Sequence, residues 1–156
     1  MVFNGSELVA ADVMTREVAT VGPDTNLRQV AGVLAARRIS GVPVVDAEGR
    51  LLGMVTEADL LRTDAIQARR RYEWLEKLAE GYDLAPAFIA AMRETDRPAS
   101  AVMHHNVVTV GETTTLQEIA DLMTKNAIKR VPVLREGKLV GVVSRYDLVK
   151  AIARGL

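Results

Sequence analysis

Ile39-Ser40-Gly41-Val42-Pro43-Val44 returns 89 residues later as Ile128-Lys129-Arg130-Val131-Pro132-Val133. Read backwards at that offset, Thr25/Thr114, Leu27/Leu116, Ala31/Ala120, Val18/Val107, Thr20/Thr109, Val21/Val110 and Gly22/Gly111 are identical, and Val13-Met14 falls on Val102-Met103. Read forwards, one residue fewer in the second turn shifts the offset to 88, and Gly49/Gly137, Leu51/Leu139, Gly53/Gly141, Val55/Val143, Asp59/Asp147 and Leu60/Leu148 match. So many identities in one order make the chain two copies of a unit of about 50 residues. They lie at roughly 12–61 and 101–149.

Each copy carries the same pattern of elements. In the second, Leu116, Ile119, Ala120 and Met123 recur at helical spacing, with Thr114 or Thr115 as the cap. Val131 to Leu134 reads as a short apolar strand, Glu136-Gly137 as a hairpin turn and Leu139 to Val143 as a second strand. Ser144 then opens a helix bearing Leu148, Val149 and Ile152. The first copy predicts helix 26–38, strand 42–46, a turn at Ala47-Glu48-Gly49, strand 51–55 and a helix from Glu57. Strands this short and apolar need cover, and two copies packed sheet to sheet would supply it. The expected domains are 1–61 (first repeat with its lead-in), a helical connector at 62–98, and 99–156 (second repeat).

The 156 residues include no Cys, are 49% hydrophobic, and carry 20 basic and 20 acidic side chains. That is enough chain for a core and too apolar for disorder. Without Cys there are no disulfides, no thiolate catalysis and no Cys-ligated zinc, which suits a cytoplasmic location. No apolar run approaches the roughly 20 residues of a membrane helix, and Met1 to Ala11 has no signal-peptide pattern. Neutrality argues against a general polyanion binder. It also conceals an asymmetry: residues 1–61 carry 5 basic and 8 acidic groups (−3), 62–98 carry 7 and 7 (0), and 99–156 carry 8 and 5 (+3).

The strand-to-helix junctions hold the chemistry. They read Gly53-Met54-Val55-Thr56-Glu57-Ala58-Asp59 and Gly141-Val142-Val143-Ser144-Arg145-Tyr146-Asp147. Two readings fit. One is a helix cap, with a hydroxyl accepting from a backbone N–H and an acid three residues on. The other adds a ligand, because an Asp just past a strand can accept from both ribose hydroxyls while the helix start attracts phosphate.

These residues carry a resemblance to the CBS-domain family, and in particular to its tandem pair, the Bateman module. It rests on Asp12-Val13-Met14 with Ala101-Val102-Met103, on Gly41-Val42-Pro43-Val44 with Lys129-Arg130-Val131-Pro132-Val133, and on both Gly-x-x-Thr/Ser-x-x-Asp ends. The resemblance implies a mixed α/β fold: two β-α-β-β-α repeats packed as a pseudo-two-fold pair, with clefts for adenosine-containing ligands. It implies that Asp147 holds a ribose, Ser144 meets ribose or phosphate, and Arg130 meets phosphate, with Lys129 and Arg145 as further phosphate groups. Val142 and Thr109 join this nucleotide-binding set, and the first copy supplies Asp59, Thr56 and Ser40. The first copy departs from the pattern, having Ser40-Gly41 for Lys129-Arg130 and Glu57 for Arg145. The Asp147 cleft is therefore expected to prefer a phosphorylated nucleotide. The Asp59 cleft is expected to be empty or to hold a nucleoside-like or cationic ligand such as S-adenosylmethionine.

The connector run Arg70-Arg71-Tyr72-Glu73-Trp74-Leu75-Glu76-Lys77-Leu78 also resembles that of bacterial CBS pairs preceding a BON domain. No such domain follows Leu156, so a stand-alone or trimmed chain is expected. Arg69-Arg70-Arg71 beside Tyr72 and Trp74 hints at nucleic acid, but Glu73 lies four residues from both Arg69 and Lys77, the spacing of a solvated, salt-bridged helix face. His104-His105 reads as a polar loop rather than a metal site. Met14, Met54, Met103 and Met123 sit in apolar frames and read as core. Catalysis finds no support: there is no Gly-x-Ser-x-Gly elbow and no Walker loop. The expected protein is a regulatory sensor of AMP, ADP or ATP with no obligatory cofactor or metal, dimeric with itself, read by an effector, and touching neither membrane nor nucleic acid. A constitutive interaction scaffold is the rival, and nucleic-acid binding through Arg69 to Arg71 is a third reading.

Overall fold

A computed structural model describes residues 7–61 and 95–155. The connector expected at 62–98, with Arg69 to Arg71, Tyr72, Trp74, Tyr82 and Phe88, lies outside the described residues except for its last four. The elements in chain order are α1 (Ala10–Val13), α2 (Leu27–Arg37), β1 (Gly41–Val45), β2 (Leu51–Thr56), α3 (Glu57–Leu61), a 3-10 turn (Ala99–Ala101), β3 (Val110–Gly111), α4 (Leu116–Asn126), β4 (Arg130–Arg135), β5 (Lys138–Ser144) and α5 (Arg145–Ala153). Among the described residues, no helix is long and apolar enough to cross a membrane.

The second repeat forms a sheet of order β3-β4-β5, parallel between β3 and β4 and antiparallel between β4 and β5. Glu136 and Gly137 turn the β4–β5 hairpin with φ of 52° and 79°, the positive pair a two-residue turn requires. Thr115, not Thr114, caps α4, its hydroxyl accepting from Glu118 N–H at 3.2 Å. Thr114 accepts from Gly111 N–H at 3.0 Å in the preceding turn, as Thr25 does from Gly22 in the first repeat. That turn explains the repeated Gly-x-x-Thr. In the first repeat Asn26 caps α2, β1 pairs with β2, and Val21 runs parallel to Val44. The β-α-β-β-α order of each copy is thus present.

The chain gathers into two compact units, which differ from the repeats as written in sequence. One holds residues 7–18, 47–51 and 106–155; the other holds 19–46, 52–61 and 95–105. The lead-ins are therefore exchanged. Ala10 and Met14 lie in a core with Ile119, Met123, Val131, Val133 and Val143 of the second repeat. Ala99, Val102 and Met103 pack with Val21, Val30, Val42, Val44 and Val55 of the first. Burying a side chain the size of Met14's contributes about 1.5–3 kcal/mol, so the lead-ins are integral to these cores. Main-chain bonds fix the exchange: Thr15 N–H and C=O pair with Val142 at 2.9 and 3.0 Å, and His104 pairs likewise with Met54 at 3.0 and 3.1 Å. Met14, Met54 and Met123 are buried and Met103 is half-buried, as core methionines should be.

At the surface of the second repeat's sheet, Arg135 grips Glu112 through both carboxylate oxygens, at 2.5 and 2.7 Å. Hydrogen bonding from Arg135, reinforced by its charge, holds the Glu112 carboxyl below its ordinary pKa.

Candidate functional site

In the second repeat, α4 ends at Ala127 in the left-handed conformation (φ 52°, ψ 45°), and Ile128 N–H returns to Met123 C=O at 3.0 Å. This reversal delivers Lys129 and Arg130 to the start of β4. Arg130 stands opposite Ser144 in the β4–β5 register, and Arg145 N–H donates to Lys129 C=O at 3.0 Å. Three cationic residues thus meet at the backbone junction where β5 becomes α5. Lys129 and Arg145 are exposed and Arg130 is half-buried.

Asp147 lies one turn into α5 and is only 4% exposed, the one charged residue in the buried class among those described. Its Oδ2 accepts from Ser144 N–H at 2.8 Å and from Ser144 Oγ at 3.1 Å. Asp147 N–H donates back to Ser144 Oγ at 3.2 Å. Lys150 Nζ lies 3.3 Å from Asp147 Oδ1 and 5.1 Å from the Tyr146 ring centre. The capping box is therefore closed, and the buried carboxylate is held at the strand-to-helix junction where the main chains of three cationic residues, Lys129, Arg130 and Arg145, come together as its rim. A carboxylate so held can accept hydroxyl donors, and the rim can meet an anion.

The first repeat builds the same frame with other charges. Arg38 is left-handed at the end of α2, Ile39 N–H returns to Leu34 C=O at 3.1 Å, and Glu57 N–H donates to Ser40 C=O at 2.9 Å. Asp59 Oδ2 accepts from Thr56 N–H at 2.8 Å and Thr56 Oγ1 at 3.0 Å. Where the second repeat gathers Lys129, Arg130 and Arg145, the first has Ser40, Gly41 and Glu57.

Lys129, Arg130, Ser144, Arg145 and Asp147 are thus brought together, and Ser40, Thr56 and Asp59 form the matching set in the other unit. Val142 lies two residues before Ser144, with its N–H and C=O both taken by Thr15. Thr109 stands apart, across β4 from β5. It lines a groove of about 650 Å³ with Gly111, Thr114, Glu118, Asp121 and Lys125. One participant escaped the sequence reading: His104 Nδ1 lies 2.9 Å from Asp59 Oδ2. No local pattern signalled it, because Asp59 lies 45 residues away in sequence.

A family model described as the CBS domain matches residues 9–65 and again 99–154. The uncharacterized protein MJ1426 of Methanocaldococcus jannaschii is 30% identical over 96% of this chain and 94% of its own length. The solved CBS-domain protein ATU1752 of Agrobacterium tumefaciens is 30% identical, with a TM-score of 0.66 over 92% of this chain and 98% of that one. The structure of CBSX2 in complex with AMP aligns with a TM-score of 0.70 at 23% identity, over 94% of this chain and 97% of that one.

Proposed function

The chain belongs to the CBS-domain family as a tandem pair of the domain, and from that we propose that it is a regulatory module binding an adenine nucleotide at the Ser144–Asp147 junction. The observation that carries this is the convergence of the main chains of Lys129, Arg130 and Arg145 at the strand-to-helix junction that carries the buried Asp147 carboxylate. Asp147 takes the ribose hydroxyls, Ser144 stands between ribose and phosphate, and the cationic rim takes the phosphate. AMP, ADP and ATP all satisfy this chemistry, and the AMP complex of CBSX2 supports the ligand class. S-adenosylmethionine, which offers a ribose and a cation instead of phosphate, fits this rim less well. The module binds without catalysing, and a partner reads the change in packing, which cannot exceed the ligand's differential affinity for the two states. We assign it to the cytoplasm as a homodimer, for which Tyr146, Val149 and Ile152 offer an exposed apolar stripe on α5.

One observation favours the rival scaffold reading: both capping boxes are closed by the chain's own groups. Arg130→Ala separates the two readings. AMP affinity falls at least tenfold, about 1.4 kcal/mol, while adenosine affinity stays within about twofold, both by calorimetric titration. Equal losses for AMP and adenosine would remove the phosphate role of Arg130.

A further inference from the structure

Along a strand, alternate residues turn their main-chain polar groups to opposite edges. In the β4–β5 register Val142 stands opposite Pro132, which has no N–H to give. Val142 turns its N–H and C=O to the outer edge of β5 instead, and Thr15 takes both, at 3.0 and 2.9 Å. Ser144, two residues on, turns to the same edge, where Asp147 Oδ2 accepts its N–H at 2.8 Å. Thr15 and the Asp147 carboxylate thus stand on one edge of β5, two residues or about 7 Å apart along the strand. The first repeat shows where a side chain in that seat reaches. His104 lies at the offset of 89 from Thr15, and its main chain bonds Met54 as Thr15 bonds Val142, at 3.0 and 3.1 Å. Its ring Nδ1 lies 2.9 Å from Oδ2 of Asp59, which matches Asp147. A side chain leaving this seat is therefore aimed at the carboxylate of the junction. Thr15 is exposed, and among the described residues its hydroxyl makes no hydrogen bond.

We infer that Thr15 is a ligand-binding residue of the Asp147 site: its hydroxyl bonds the ribose end of the ligand, beside the carboxylate. The inference rests on the nucleotide reading of that site and adds to it a residue that the Gly-x-x-Ser-x-x-Asp motif does not contain. A threonine hydroxyl both donates and accepts, so it serves a ribose hydroxyl in either sense. Thr15 belongs in sequence to the lead-in of the first repeat and in space to the unit that holds Asp147. The exchange of lead-ins therefore completes the second repeat's binding site as well as its core.

Calorimetric titration of the whole chain with AMP and with adenosine tests this through two substitutions. Thr15→Val removes the hydroxyl and keeps the branched shape suited to an extended main chain. It lowers affinity at least threefold, as the loss of one hydrogen bond should, and equally for AMP and adenosine because the contact lies at the ribose. Thr15→Ser keeps the hydroxyl and sheds the methyl, and its affinities stay within twofold of native. The side chain is exposed, so both variants unfold, without ligand, at the native midpoint. A Thr15→Val loss smaller than threefold, while Asp147→Asn still abolishes AMP binding, overturns the inference and leaves the nucleotide reading standing. So does a Thr15→Ser loss as large as that of Thr15→Val, which would make the residue a brace for the lead-in, and so does a loss confined to AMP. AMP and adenosine bound by neither the native chain nor either variant overturns both.

Discussion

Gly53→Ala destabilises the protein by about 1–3 kcal/mol, the usual cost of forcing an extra carbon into a packed core. A Cβ on Gly53 would lie 2.7 Å from the His104 carbonyl oxygen, 2.9 Å from Met103 Sδ and 3.1 Å from its Cγ. The carbonyl is the decisive neighbour, because it is held by Met54 N–H and can move only by opening the bridge that seats the lead-in. Trimming Met103 to Ala therefore does not rescue the variant. At Gly141 the crowding comes from a side chain alone: a Cβ would lie 2.5 Å from Met14 Sδ, 2.8 Å from Cγ and 3.1 Å from Cβ. Met14→Ala by itself costs about 2–5 kcal/mol as a buried truncation. Combined with Gly141→Ala it costs less than the sum of the single changes, by at least about 1 kcal/mol, because the new methyl occupies space the thioether vacates. Urea unfolding of the four-member cycle at each glycine measures both numbers. A Gly53→Ala variant within about 0.5 kcal/mol of the native chain would show that the lead-in is not pressed against β2 as described.

Asp147→Asn abolishes nucleotide binding while leaving the chain folded. Two ribose hydroxyls donating to an ionised carboxylate contribute about 1.5–3 kcal/mol each, so their loss lowers AMP affinity at least a hundredfold. The structural cost is smaller. An Asn side chain still accepts from Ser144 N–H, and what disappears is one negative charge at the start of α5 and the contact with Lys150, together about 1 kcal/mol. Calorimetry and the unfolding midpoint therefore move by very different amounts. AMP affinity within threefold of native would place the ribose elsewhere.

Much of this architecture was legible in the sequence, for identifiable reasons. The repeat was visible in identities such as Val42-Pro43-Val44 with Val131-Pro132-Val133, and the strands, turns and caps followed from local chemistry. Asp147 and Asp59 could be singled out because both copies set a hydroxyl and an acid three residues apart at a strand end, a pattern that fits a helix cap and a ribose site alike. The exchange of lead-ins was not legible. Periodicity shows which face of a segment is buried and not which sheet buries it, so Met14 read as core without revealing that its core is that of the second repeat. The same limit hid the need for Gly53 and Gly141, whose neighbours Met103 and Met14 are distant in sequence. His104 was dismissed as half of a polar pair because Asp59, 45 residues away, meets it only after the lead-in is seated on β2.

The central claim is that the Ser144–Asp147 junction with its cationic rim is a nucleotide site, and thermal unfolding of the native chain against increasing AMP tests it most directly. Binding to the folded state alone raises stability by RT ln(1 + [L]/Kd), about 2.7 kcal/mol at a hundredfold excess over Kd. The account predicts a midpoint that climbs with the logarithm of AMP concentration and a climb that Asp147→Asn removes. A midpoint unmoved by saturating AMP, ADP, ATP and S-adenosylmethionine would contradict it and leave the closed caps as structure alone.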